Sequence, residues 1–175
     1  MLKRIIILAV LLTLFPFKLG DYYDAEKMVQ HTVIAKQKKL TINFKKQVSC
    51  LAKNIYYEAG YESYEGKLAV ATVTLNRVKH RDFPDTVCDV VYQRNKRGCQ
   101  FSWTCGPKAP FELSRYRQTE KLAEKILTRN LRVARLKKAL YFHNTSINPD
   151  WDFAQPVTQI GNHIFYEPRR NTSTS

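Results

Sequence analysis

CLAKNIYYEAGYESYEGKLAVATVTLNRV, residues 50–78, holds two helical patterns joined by a punctuated turn. In the first, Leu51, Ala52, Ile55 and Ala59 recur at helical spacing and share one face. Ser49 stands before this pattern as a candidate N-cap, and Gly60 follows it as a stop. Ser63 is the candidate cap of the second helix. Beyond it, Leu68, Ala69, Val70, Ala71, Val73, Leu75 and Val78 cover most of a helical circumference, as expected of a helix buried on all sides. The β-branched residues in this run suit a strand, but about a dozen residues is long for one. Asn76 and Arg77 close the helix. Being polar in a buried element, they are expected to hydrogen-bond to neighbouring loops.

Downstream, DFPDT (82–86) reads as a turn and Val87 to Tyr92 as a short helix or strand. RNKRGCQFSWTCGPKAP (94–110) is a loop punctuated by Gly98, Gly106, Pro107 and Pro110. Glu112 to about Asn130 is a basic amphipathic helix with Tyr116, Leu122, Ala123, Ile126 and Leu127 on its apolar side. A basic stretch, RVARLKKAL, leads into YFHN. PVTQIGNHIFYEP (156–168) then carries a β pattern, with Gly161 and Asn162 as a hairpin turn. The expected class is α+β, mainly helical, with a small C-terminal β-hairpin. There is no internal repeat, and residues 171–175 read as a frayed tail.

A chain of 175 residues with a net charge of +14 implies one domain with extensions and an anionic partner. Its start, MLKRIIILAVLLTLFPFKLG, has a basic end followed by an apolar run from Ile5 to Phe15. This is the layout of a secretory signal. Because Lys18, Leu19 and Gly20 form an imperfect cleavage site, a retained inner-membrane anchor stands as the alternative. Residues 21–47, rich in lysine, read as a basic tether or a solvated helix. The expected location is outside the cytoplasm, in the periplasm or cell envelope, and the export pattern argues against nucleic acid as the anionic partner. In an oxidising compartment the four cysteines, Cys50, Cys88, Cys99 and Cys105, suggest two disulfides, for which three pairings exist.

Walker, dinucleotide-fingerprint and HExxH motifs are missing, and Ser102 with His143 does not make a convincing triad. His143, His163, Asp150 and Asp152 are conceivable metal ligands, but histidines beside aromatics more often serve packing, so no metal and no cofactor is expected. Glu58 is the informative residue. It follows Tyr56 and Tyr57 in the last turn of the first helix. A carboxyl group packed against aromatic rings loses hydration, keeps its proton to higher pH, and can act as an acid on a glycosidic oxygen. The plain alternative is an exposed glutamate at a helix end. Glu65 suits the positive end of the second helix.

Five ordered blocks extend this reading: CLAKNIYYEAGYE, EGKLAVATVTLNRV, FPDTVCDVVYQ, CQFSWTC and IGNHIFYEP. Together they resemble the SleB/CwlJ-type cell wall hydrolases across residues 48–167, and a catalytic domain over 48–170 is expected. The resemblance implies a lysozyme-like fold, peptidoglycan as substrate, and the glutamate of the Y-x-E-A block, here Glu58, as catalytic acid. The block departs from the E-A-R-G-E form usual in that family, reading Glu58-Ala59-Gly60-Tyr61-Glu62.

The expected activity is cleavage between N-acetylmuramic acid and N-acetylglucosamine. A lytic transglycosylase with one glutamate is favoured because no second acid stands out. The alternatives are a hydrolytic muramidase and a non-catalytic wall-binding or lysis accessory protein. Glu62 is expected to orient the site or to serve as a second catalyst. The glycan groove is expected to use Tyr57, Gln100, Ser102 and Trp103, with Tyr141, His143, Asn162 and His163, since flat aromatics and amides suit sugar faces and edges.

Overall fold

The computed structural model describes residues 19–96, 98–107 and 110–169, which fall into two units dividing between Asn43 and Phe44. Helix α1 spans Leu19–Ala59 and runs through both. Its part within the first unit is a solvated helix, every residue from 26 to 43 being exposed, Lys36, Lys38 and Lys39 among them. The expected signal segment lies outside the described residues except for its last two positions, and the expected frayed tail lies wholly outside them. Among the described residues no helix is long and apolar enough to cross a membrane.

One boundary differs from expectation: Ser49 does not start a helix. No glycine or proline occurs from residue 21 to residue 59, so nothing interrupts α1 before it reaches the core. The Ser49 hydroxyl lies instead 3.3 Å from the hydroxyl of Tyr116. The helix ends at Ala59, just before Gly60. Ser63 caps helix α2, Tyr64–Val78, its side chain accepting from the Gly66 amide at 3.2 Å. Short α3, Val87–Val91, is capped by Thr86, and α4 covers Leu113–Arg129.

Helix α2 is buried around its circumference because it separates two apolar clusters. On one side Ala71 and Leu75 join Leu51, Ala52 and Ile55 of α1, Val91 of α3 and Ile126 of α4. On the other, Ala69, Val70 and Val73 meet Leu136, Ile160 and Phe165. Several of its polar groups bond to neighbouring segments. Thr74 donates to Asn54 Oδ1 at 2.8 Å. Asn76 Nδ2 donates to the carbonyls of Leu136 and Ala139, and Arg77 Nε to that of Leu140 at 2.7 Å.

Two-residue strands β1 (Arg94–Asn95) and β2 (Gly98–Cys99) pair within the loop after α3, followed by a 3-10 turn at Ser102–Thr104. A second 3-10 turn covers Ala134–Leu136. The C-terminal sheet is antiparallel in the order β3 (Tyr141–Asn144), β5 (His163–Pro168), β4 (Ala154–Ile160). The expected hairpin is thus present and carries a third strand, YFHN, on its other edge. Pro156, which lacks an amide proton, sits on edge strand β4 beside a register shift. The disulfides join Cys50 to Cys88 and Cys99 to Cys105.

Candidate active site

Glu58 opens into a cleft of about 540 Å³ lined from α1, α2, the disulfide-closed loop and the C-terminal sheet. The last turn of α1 supplies Tyr57 and Glu58, while Ile55, Tyr56 and Ala59 are buried in the core. The end of α2 supplies Arg77. The loop closed by Cys99–Cys105 supplies Gln100, Ser102 and Trp103, and the sheet supplies Tyr141, His143 and His163. Trp103 stacks on Tyr57 with ring centroids 4.6 Å apart. Trp151 and Tyr141, with centroids 6.0 Å apart, line the same cleft.

Burial pushes the Glu58 pKa up from 4.5 to about 7. Two neighbours act against it. The Arg77 charge favours the carboxylate, as does the indole N–H of Trp103. Among the described residues no hydrogen bond of ordinary geometry joins that N–H to a partner. Burial pushes Arg77 down to about 10, so it remains a cation at neutral pH. Its guanidinium lies 5.4 Å from the ring centroids of both Phe83 and Phe101, and its Nη1 is buried with no hydrogen-bond partner among the described residues.

Seven of the expected sugar-contacting residues therefore line one cleft with Glu58: Tyr57, Gln100, Ser102, Trp103, Tyr141, His143 and His163. Glu62 and Asn162 do not line it and engage each other. Asn162 Nδ2 donates to Glu62 Oε1 at 3.0 Å, and the Asn162 amide approaches Oε2 at 3.4 Å. Glu62 Oε1 lies 3.9 Å from Nδ1 of His163, whose pKa burial pushes down. His143 is held by Tyr166, its Nε2 lying 2.7 Å from that hydroxyl.

The sequence reading assigned Arg77 only to loop bonding and passed over Trp151. An arginine ending an otherwise apolar helix was the available signal for the first. Trp151 carries no local signal, since it reaches the cleft from an irregular segment. Among the described residues no group of three potential metal ligands occurs, and Glu58 is the only carboxylic acid lining the cleft. The arrangement can bind an extended neutral ligand between aromatic walls and deliver one proton.

Residues 61–166 match the family model described as Cell Wall Hydrolase, and the chain belongs to that family. The matched span begins three positions after Glu58.

Among curated relatives, the chain is 32% identical over 120 residues to a spore cortex-lytic enzyme of Oceanobacillus iheyensis, covering 67% of this chain and 40% of that protein. A spore cortex-lytic enzyme of Bacillus subtilis is 32% identical over 123 residues, covering 69% of this chain and 37% of that protein. The chain thus spans well under half the length of these relatives. Two solved structures are similar at 26% identity, each covering 69% of this chain. The catalytic domain of the Bacillus cereus SleB protein gives a TM-score of 0.50 with 89% of that domain covered. The catalytic domain of the germination-specific lytic transglycosylase SleB from Bacillus anthracis gives 0.52 with 93% covered. The fold is accordingly α+β, mainly helical, of the SleB catalytic-domain kind.

Proposed function

We propose that this protein is a peptidoglycan-cleaving lytic transglycosylase in which Glu58 is the single acid and base. One observation carries the reading: a carboxyl group that burial holds protonated to about pH 7 opens into an aromatic-walled cleft with no second acid among its described lining residues. Glu58 gives its proton to the oxygen bridging N-acetylmuramic acid and N-acetylglucosamine, and the bond from that oxygen to the muramic C1 breaks. The resulting carboxylate takes the proton of the muramic 6-hydroxyl as its oxygen bonds to C1. The product is a 1,6-anhydro end, and Glu58 regains its starting state. Arg77 steadies the transient carboxylate, and Tyr57, Trp103, Tyr141 and Gln100 hold the glycan. Glu62, engaged by Asn162, is a positioning residue for the turn beside His163. A retaining hydrolase requires a second carboxylate about 5 Å from the first, and Glu62 faces Asn162 instead.

The wall substrate, the two disulfides and the basic, apolar start of the sequence together support action in the periplasm or cell envelope. The excess of positive charge supports retention near its anionic surface.

Glu58→Gln is expected to reduce release of fragments from purified sacculi by about a thousandfold or more. Undiminished release would remove Glu58 from its role. Mass spectra of the wild-type products decide the reaction: anhydro-muramic ends for the transglycosylase, reducing ends for a muramidase. Sacculus binding without any release would mark an accessory protein.

A further inference from the structure

Two adjoining cavities, of about 380 and 390 Å³, share the residues Asn76, Lys79 and Lys137 and have no lining residue in common with the Glu58 cleft. Arg132 lines one, Lys138 the other, and Lys79 and Lys137 stand where they meet. We propose that this double groove binds a linear polyanion of the cell envelope, a chain whose repeating units carry phosphate or carboxylate. The choice of an envelope polymer rests on the proposed function; the groove's chemistry does not.

Charge and construction both support an anionic chain. Among the described residues, Lys79, Lys137, Lys138 and Arg132 form no ion pair. The neighbouring Arg135, by contrast, is paired with Glu65 at 2.6 Å. Among the described residues Glu167 is the only carboxylic acid lining the cavities, and its Oε1 already accepts from Gln155 at 2.7 Å. Arg132 is half-buried, and burial lowers its pKa with no acid acting in the opposite sense. An unpaired, partly desolvated cation favours an incoming anion.

The groove's backbone is fixed before any ligand arrives. Asn76 spends its amide on the carbonyls of Leu136 and Ala139, at 2.7 and 2.8 Å, and Thr72 Oγ1 accepts from the Val133 amide at 3.1 Å. The segment presenting Arg132, Lys137 and Lys138 is therefore tied to α2 at both ends, which reduces the ordering cost of binding. Two cavities in series suit a chain better than a single ion, and a concave site suits it better than a membrane plane. Among the described residues no Phe, Tyr or Trp lines either cavity. The stacking platforms typical of single-stranded nucleic acid sites are therefore missing.

The test is binding of the full chain to short poly(glycerol phosphate) and, separately, to polygalacturonate, by titration calorimetry at about 150 mM salt, where long-range attraction is screened. Lys79→Gln/Lys137→Gln/Lys138→Gln is expected to bind one or both polymers about tenfold or more weakly. The control Lys67→Gln/Lys121→Gln/Lys125→Gln removes the same charge from a separate cavity between α2 and α4, and is expected to stay within about twofold of wild type. The polymer that responds identifies the anionic group. Five of the six lysines are exposed and Lys67 is half-buried, so both variants should unfold as wild type does.

Four results would overturn the proposal. These are failure of the wild type to bind either polymer, equal losses in the two variants, no loss in the groove variant, or tighter groove-dependent binding of an oligonucleotide or of phosphatidylglycerol vesicles. Release from sacculi stripped of anionic polymer should be the same in wild type and groove variant. A failure of the Glu58 mechanism is thus distinguishable from a failure of the groove.

Discussion

Moving the Glu58 carboxyl out of water, with its pKa raised from 4.5 to about 7, has opposite consequences for reaction and stability. Under the proposed mechanism, the protonated form that donates to the glycosidic oxygen persists to neutral pH, so fragment release should fall as pH rises above about 7. In the same molecule the folded state holds this proton more tightly than the unfolded chain. Between pH 4.5 and about 7 the folded state therefore binds more protons, and its stability declines as pH rises through that window. The full effect, on the order of 3 kcal/mol, is present above it. Glu58→Gln removes the titration. The variant should match wild type in urea unfolding near pH 4 and exceed it near pH 8 by about that amount. A difference that does not change with pH would mean the carboxyl is not desolvated.

Arg77 moderates this burial penalty, since its charge favours the Glu58 carboxylate. Arg77→Met should move the alkaline limb of fragment release upward by roughly one pH unit. It should also lower stability by about 1–3 kcal/mol, because the Leu140 carbonyl loses its buried donor. Arg77→Lys keeps the charge and should leave the limb near its wild-type position even if the fold weakens. A pH–rate series on the three proteins separates charge from packing.

At the scale of elements, the β4–β5 turn and the α1–α2 connection depend on each other. Gly161 has φ +57°, a left-handed value, and a Cβ there would strike the Glu62 carboxylate. Gly161→Ala should therefore cost about 1–2 kcal/mol from backbone strain alone, with more from the collision, and should weaken glycan binding by shifting Asn162 and His163. In a double-mutant cycle with Glu62→Ala, the collision part should disappear, so that the double variant is more stable than the sum of the singles predicts. Simple additivity in thermal unfolding would show that the turn and Glu62 do not touch.

The elements also show which signals were legible in sequence. Gly60, Ser63 and the Gly161–Asn162 pair act within a few residues of themselves, and the helix end, helix cap and hairpin turn appear where they stand. Ser49 was legible only as a local cap, whereas its hydroxyl faces Tyr116, 67 residues away. Strand β3 is four residues long and pairs with β5 across the whole of β4, so no neighbouring turn announces it. Glu58 stood out because its aromatic neighbours adjoin it in the chain. Arg77 and Trp151 meet the same cleft only through the fold.

At the scale of the molecule, the two disulfides are expected to divide stability from function. Cys50–Cys88 ties α1 to α3 across 38 residues, and Cys99–Cys105 closes a segment of 6. Loop-closure entropy gives roughly 4 kcal/mol for the longer link and roughly 2 for the shorter. The shorter link, however, encloses Gln100, Ser102 and Trp103, three residues of the cleft wall, and Trp103 is the ring stacked on Tyr57. Cys50→Ser/Cys88→Ser should therefore show the larger drop in unfolding midpoint, with activity retained below that midpoint. Cys99→Ser/Cys105→Ser should keep most of its stability and lose glycan affinity, because ordering the freed loop opposes each binding event. Measuring urea midpoints alongside fragment release as a function of glycan concentration tests the division. If the short-link variant proves the less stable of the two while its KM is unchanged, the loop is a structural clasp and the cleft wall is ordered by the stacked rings alone.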